Sequence, residues 1–170
     1  MKIPVFVSCP TSLNKVQDAS RGLILGHLKR LSLEPRALGR SDYPTDYPLR
    51  EVIVIAKHCS GGVILGFEQF YTARGIWKRG TREAKRVASE VCFPSPWNHL
   101  EAGILFSLEL PLLVFKEESI NGGVFDSGVT DVFVHKMPRS PIVGEEKKAL
   151  GEVFLKWQSK VREHYYRLPR

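Results

Sequence analysis

One short segment brings together side chains that could do chemistry. It reads Ser95-Pro96-Trp97-Asn98-His99-Leu100-Glu101 and opens an apolar run that continues to Leu110. Ser95 followed by Pro96 is a normal helix start, so Trp97 and Glu101, four residues apart, project from one helical face. A carboxylate beside a large aromatic ring suits a ribosyl substrate, because the ring can stack on a base while the carboxylate orients ribose hydroxyls and stabilises a developing oxocarbenium ion.

Glu101 lies inside this apolar run, and that position needs an explanation. The predicted helix from Pro96 to Leu110 is apolar nearly all round and should be largely buried. An unpaired carboxylate there would cost several kcal/mol or have a raised pKa. The structural alternatives are a core ion pair or hydrogen-bonded network, and a surface position on a less buried helix. We predict that Glu101 is catalytic, with Trp97 and Asn98 as substrate contacts.

Strand-like and helix-like patterns alternate along the chain, and the elements that they predict must position the segment from Ser95 to Glu101. The segment from Glu68 to Phe93 has no assignable pattern. The alternation predicts an α/β domain over residues 1–170, with a parallel sheet of about five strands, helices on both faces, and ligands at the strands' carboxyl ends. The predicted strands are Ile3 to Ser8, Pro35 to Leu38, Val63 to Phe67, Leu112 to Phe115 and Val132 to Val134, and helices should begin after Thr11 or Ser12, at Pro48, at Pro96 and near Glu145.

Composition and charge limit the class of protein and its partners. With 170 residues, 43% hydrophobic and 25% charged, the chain has the character of one globular domain with a core. A formal charge of +7 favours a polyanionic partner: a nucleic acid, an acidic protein or a phosphate-bearing small molecule. Much of the excess lies between Arg74 and Arg86, which is either a solvated basic surface or a phosphate or strand contact.

Several common classes of site have no support in the sequence. There is no Gly-x-Gly-x-x-Gly turn and no Gly-x-x-x-x-Gly-Lys loop, so neither a dinucleotide-binding dehydrogenase nor a P-loop NTPase is indicated. Five histidines and three cysteines lack metal-ligand spacing, and we expect no metal and no cofactor. The first residues are too short an apolar run for a signal peptide or a membrane span, so we expect a cytoplasmic protein without a membrane partner.

The Trp-x-x-x-Glu segment from Trp97 to Glu101 resembles the catalytic motif of TIR and TIR-like NAD-cleaving domains. Val5-Phe6-Val7-Ser8 is similar to the first conserved box of that fold, and the loop from Gly39 to Pro48 falls where such domains carry their BB loop. The resemblance implies a flavodoxin-like (TIR-like) sheet, Glu101 as the catalytic glutamate, and base or nicotinamide-ribose contacts from the loops around Ser8 and Arg40. It also implies self-association or a TIR-type partner and, in bacteria, a role in antiviral defence. The long basic insertion before Trp97 departs from the family pattern.

These observations leave several functions open. The leading hypothesis is an NAD-cleaving enzyme that releases nicotinamide and gives ADP-ribose or a cyclised product. The stretch from Glu101 to Val114 is also similar to nucleoside 2-deoxyribosyltransferases, which break the same kind of bond with a helix glutamate as nucleophile. A non-catalytic module that binds a nucleotide signal or a TIR surface, and a nucleic-acid binder, are the further alternatives.

Overall fold

The computed structural model describes residues 2–38 and 47–167. The predicted substrate contact Arg40 and most of its loop lie outside the described residues. The first half of the fold comprises β1 (Ile3–Ser8), α1 (Lys15–Arg30), β2 (Leu33–Arg36), α2 (Pro48–Lys57) and β3 (Gly62–Gly66). Four short strands follow: β4 (Phe70–Thr72), β5 (Ile76–Trp77), β6 (Lys85–Arg86) and β7 (Val91–Phe93). The last elements are α3 (Pro96–Ser107), β8 (Leu112–Lys116), a 3-10 turn (Gly123–Phe125), β9 (Val134–Lys136) and α4 (Gly144–Arg167).

Five of the strands form the main sheet. Their order is β2-β1-β3-β8-β9, and every neighbouring pair is parallel. Numbered among themselves, these strands run 2-1-3-4-5, which is the order of flavodoxin-like folds. The predicted α/β class and the parallel five-stranded sheet are therefore confirmed. All five residues of β3 are buried, as expected of a central parallel strand covered on both sides.

Helices cover both faces of the sheet, as predicted. On one face α1 and α4 bury Ile24, Leu28, Phe154 and Trp157 against side chains of the central strands. On the other face α2 and α3 bury apolar side chains that include Val52, Ala56, Ala102 and Leu105. Pro48 is the first residue of α2, in the position where its missing N–H costs least.

The first helix begins later than predicted. Its cap is Asn14, neither Thr11 nor Ser12, and Asn14 and Gln17 form a reciprocal capping box. Val16, in the first turn of α1, is 61% exposed, and the buried residues of the helix are Gln17, Ser20, Ile24 and Leu28. The predicted strands at 35–38 and 132–134 are displaced by about two residues to β2 and β9, a shift that the short apolar runs there do not encode.

The expectation that the helix at Pro96 is largely buried was wrong in part. Trp97, Leu100 and Phe106 are between 43% and 49% exposed, whereas Asn98 and Leu105 have no exposed surface. The helix therefore lies on the outside of the sheet with one face inward, because α2 beside it and the sheet beneath it cover only that face.

The segment that the sequence left unassigned is a hairpin arm, which we define as residues 70–93. Its base is the antiparallel pair β4 and β7, and beyond it β5 pairs antiparallel with β6. Only the base meets the core, where Cys92 is 7% exposed, while β5 and β6 are exposed throughout.

Gly66, the last residue of β3, should tolerate no larger side chain. A Cβ atom there would lie 2.5 Å from the ring of Phe125, which is itself 1% exposed and cannot move aside. We expect Gly66→Ala to lower the free energy of unfolding by about 1–3 kcal/mol through overpacking. Urea denaturation measures it.

Gly103→Ala is the matched control, because a Cβ at Gly103 has no neighbour within 4 Å and the residue lies inside α3. This variant should gain roughly 0.5–1 kcal/mol from helix propensity. Equal stability of the two alanine variants would contradict the packing account.

Candidate active site

The candidate site lies where the direction of strand order reverses. The chain leaves β1 toward β2 on one side and returns to β3 on the other, so the carboxyl ends of β1 and β3 meet at the crevice where ligands bind in open α/β sheets. Ser8 is the last residue of β1. Ser8 therefore lies at the edge where ligands are expected, and the side chains of α3 that reach Ser8 are the candidates for the site.

The start of α3 is fixed by its cap. The Ser95 hydroxyl accepts a hydrogen bond from the Trp97 backbone N–H over 3.3 Å, and Pro96 is the first helical residue. Asn98 and Glu101 are three residues apart on the resulting helix and share the side that meets β1. Trp97 stands next to them and is 43% exposed.

A buried hydrogen bond joins α3 to β1. The Asn98 Nδ2 atom donates to the Ser8 Oγ atom over 2.8 Å, and neither residue has exposed surface. The Asn98 Oδ1 atom is buried and receives no hydrogen bond from any residue that the structure describes. An unpaired buried acceptor lowers the free energy of unfolding by about 1–3 kcal/mol, and few buried polar groups in folded proteins are left without a partner.

Glu101 lies in a partly buried position beside Ser8. Burial raises the pKa of the Glu101 carboxyl to about 7, and hydrogen bonding with the Ser8 hydroxyl opposes this rise. Within residues 2–38 and 47–167 no cationic side chain forms an ion pair with it. Of the structural alternatives, the core ion pair is therefore absent among the described residues, whereas a hydrogen-bonded group with Ser8 and Asn98 is present. Burial brings the pKa of the Glu101 carboxyl near neutral pH.

Four of the five predicted site residues can be placed. Ser8, Asn98 and Glu101 come together, and Trp97 is an exposed residue one helical turn before Glu101, while Arg40 lies outside the described residues. The contact of Asn98 with Ser8 was not predicted, because the two residues are 90 positions apart and nothing in the local pattern links them.

His99 lies on another side of α3. Its ring packs edge-on against Phe125 with 5.6 Å between centroids, and burial lowers its pKa. It lines an apolar groove of about 340 Å³ together with Phe106 and Val129, and neither Ser8 nor Glu101 borders this groove. We therefore leave His99 out of the candidate site.

Comparisons of the chain with protein-family models, with curated proteins and with solved structures gave no match. The TIR resemblance therefore rests on the residues quoted for it and stays a prediction. In the part of the chain that the structure describes, no three His, Cys, Asp or Glu side chains are grouped to hold a metal ion. Among the same residues, no helix combines the length and hydropathy needed to cross a bilayer.

Glu101→Gln should stabilise the protein at neutral and alkaline pH. A folded-state pKa near 7, above the ordinary value of 4.5, means that stability is lost as pH rises from about 4.5 through 7, because the carboxylate must ionise in a desolvated place. Gln resembles the protonated acid at every pH. The variant should match the wild type at pH 4 and exceed its free energy of unfolding by up to about 3 kcal/mol at pH 8. Denaturation at several pH values measures this, and a constant difference would contradict it.

Ser8→Ala should raise the pKa of Glu101 further, because among the described residues it is the Ser8 hydroxyl that favours the ionised form. Carboxyl carbon NMR of protein labelled in glutamate follows the titration directly. Ser20→Ala is the matched control, since Ser20 is a buried serine on α1, across the sheet from α3. An unchanged Glu101 titration in Ser8→Ala would contradict the assigned contact.

Proposed function

We propose that this chain cleaves the N-glycosidic bond between nicotinamide and ribose in NAD. The observation that carries the proposal is the desolvated Glu101 carboxyl, held beside Ser8 at the carboxyl edge of a parallel sheet and one helical turn from an exposed indole. Groups with such perturbed pKa values, placed at the ligand-binding edge of a fold, are candidates for catalysis. The resemblance of Trp97 to Glu101 to the TIR motif supports NAD as the substrate.

In the reaction the bond between C1′ of the ribose and the ring nitrogen of nicotinamide breaks. The bonding pair goes to that nitrogen, whose positive charge disappears, and the sugar becomes an oxocarbenium ion. The ionised Glu101 carboxylate stabilises this cation in a place from which water is largely removed, where the attraction is stronger than in bulk solvent. Water then adds to C1′ and loses a proton, which gives ADP-ribose. Attack by a group of the substrate itself would instead give a cyclised product.

The neighbouring residues have different tasks in this proposal. Trp97 has the exposed surface that stacking on a base requires. Ser8 and Asn98 are fully buried, so we assign them to positioning Glu101, with the Ser8 hydroxyl favouring its ionised form. Arg40, from the loop that follows β2 in the chain, remains the predicted contact for the nicotinamide ribose.

Release of nicotinamide from NAD, measured by chromatography with concentrated protein, tests the proposal. Glu101→Gln should lower the rate by at least about 100-fold, because it removes the charge that the transition state needs. Glu109→Gln is the matched control: it makes the same chemical change at an exposed residue just after α3. Circular dichroism confirms that each variant is folded.

Equal rates in wild type and Glu101→Gln would overturn the assignment of Glu101. Release of base from a deoxynucleoside but not from NAD would replace NAD with a nucleoside as substrate. Binding of NAD without turnover by the wild type would replace the enzyme with a binding module in which Glu101 is structural.

The pH dependence provides a second test. Only the ionised carboxylate stabilises the developing positive charge. The value of kcat/KM should therefore rise with pH and level off above about 7, the pKa of Glu101 in the free protein. Ser8→Ala should move this rise to higher pH. A rate that falls as pH increases through 7 would contradict the role given to the carboxylate.

A further inference from the structure

The hairpin arm has no part in the proposed reaction, and its surface is unusual. It contains six Lys or Arg residues and two Glu residues, a net charge of +4 out of the +7 of the whole chain. β5, β6 and the turn between them are exposed throughout. Because the arm contributes so little to the core, core packing does not explain its aromatic residues.

Three aromatic rings form a row along one side of the arm. Phe70 and Phe93 are paired across the β4–β7 ladder, with 6.2 Å between ring centroids, and Trp77 contacts Phe93 edge-on at 5.7 Å. Phe70 is 57% and Trp77 45% exposed. The opposite side of the ladder carries Cys92, which is packed into the core, so the aromatic row faces away from the protein.

At least one cation of the arm lies on the same side as the rings. Lys85 pairs directly across from Trp77 and so projects from the aromatic side. In the turn, Lys78 forms an ion pair with Glu83. For the other cations of the arm, no acidic partner is found among the residues that the structure describes, which leaves their charge for a ligand; these are Arg74, Arg79, Arg82, Lys85 and Arg86.

We propose that the hairpin arm binds single-stranded nucleic acid. Exposed rings offer flat apolar faces on which successive bases stack, and unpaired Arg and Lys side chains neutralise the phosphates between them. Charge alone would serve any polyanion, but a row of exposed rings beside that charge fits a ligand that alternates planar bases with phosphates. Because rings that stack on bases and cations that neutralise phosphates do not recognise the sugar, DNA and RNA strands should bind alike.

The single-stranded form is favoured because stacking needs a free base face. In a duplex the faces are covered by neighbouring base pairs, so only the phosphates would be available to the arm. The proposal is independent of NAD cleavage, since the aromatic row and the cations are distinct from Ser8, Asn98 and Glu101.

Fluorescence anisotropy of the full chain with labelled oligothymidylate and oligouridylate tests the proposal, with strands of about 20 nucleotides that exceed a site of ~4–16 nucleotides. Trp77→Ala should weaken binding of both strands about 5- to 150-fold. The double variant Arg79→Ser/Arg82→Ser should weaken binding and reduce the slope of log K against log salt by about 1.4.

Lys156→Ser/Lys160→Ser is the matched control, because it removes two exposed cations from α4 and leaves the arm intact. Affinity and salt slope should then stay close to those of the wild type. Equal weakening by the arm and α4 double variants would show that net charge alone attracts the strand and would overturn the proposal. Binding of a duplex or of poly-glutamate as tight as that of the single strands would overturn it as well.

Glu101→Gln should bind the oligonucleotides like the wild type. This variant separates the two proposals, because its loss of NAD cleavage and its retained strand binding are read in different assays. Loss of strand binding in folded Glu101→Gln would contradict the location on the arm.

Discussion

A parallel sheet must be covered on both faces, and this requirement places the helices of the protein. The central strands β1, β3 and β8 carry apolar side chains on both sides, and exposure of either face would leave many of them in water. Helices α1 and α4 meet this need on one face, and α2 and α3 on the other. The position of α3, and with it the position of Glu101, follows from that requirement.

The same constraint explains why the carboxylate is perturbed. Since α3 must lie close to the sheet, its inward turn brings Asn98 and Glu101 against the end of β1, where little water is left to solvate a charge. The fold compensates only in part, through the Ser8 hydroxyl. Near the same serine, the buried Asn98 Oδ1 atom receives no hydrogen bond from any described residue, so polar groups in this region are left incompletely satisfied.

The hairpin arm is free of that constraint. The arm adds no strand to the main sheet, and beyond its base it buries little, so its sequence can serve a surface role. Its place in the chain, directly before the cap of α3, puts an exposed basic and aromatic surface next in sequence to the candidate active site. The protein thus combines a buried site built by packing with an exposed surface built by charge and ring faces.

The class of fold was predictable because apolar runs and helical periods are local features: the strand Ile3–Ser8 and the helix near Glu145 are where their patterns place them. Glu101 could also be recognised as a candidate, since an acidic residue inside an apolar helical run stands out in the sequence. The start of α1 was misplaced, because Thr11, Ser12 and Asn14 all have capping side chains and only Asn14 has a Gln three residues later that completes the box.

The residues that surround Glu101 are brought there by tertiary packing. Ser8 and Asn98 meet across 90 positions through the packing of α3 on the sheet, a contact that no local propensity encodes. The outward face of α3 and the arm were likewise undetermined, because an exposed apolar residue and a buried one read the same in a sequence, and strands of two or three residues are too short to show a period. Burial is a property of the assembled chain, and it is burial that brings the Glu101 pKa near neutrality.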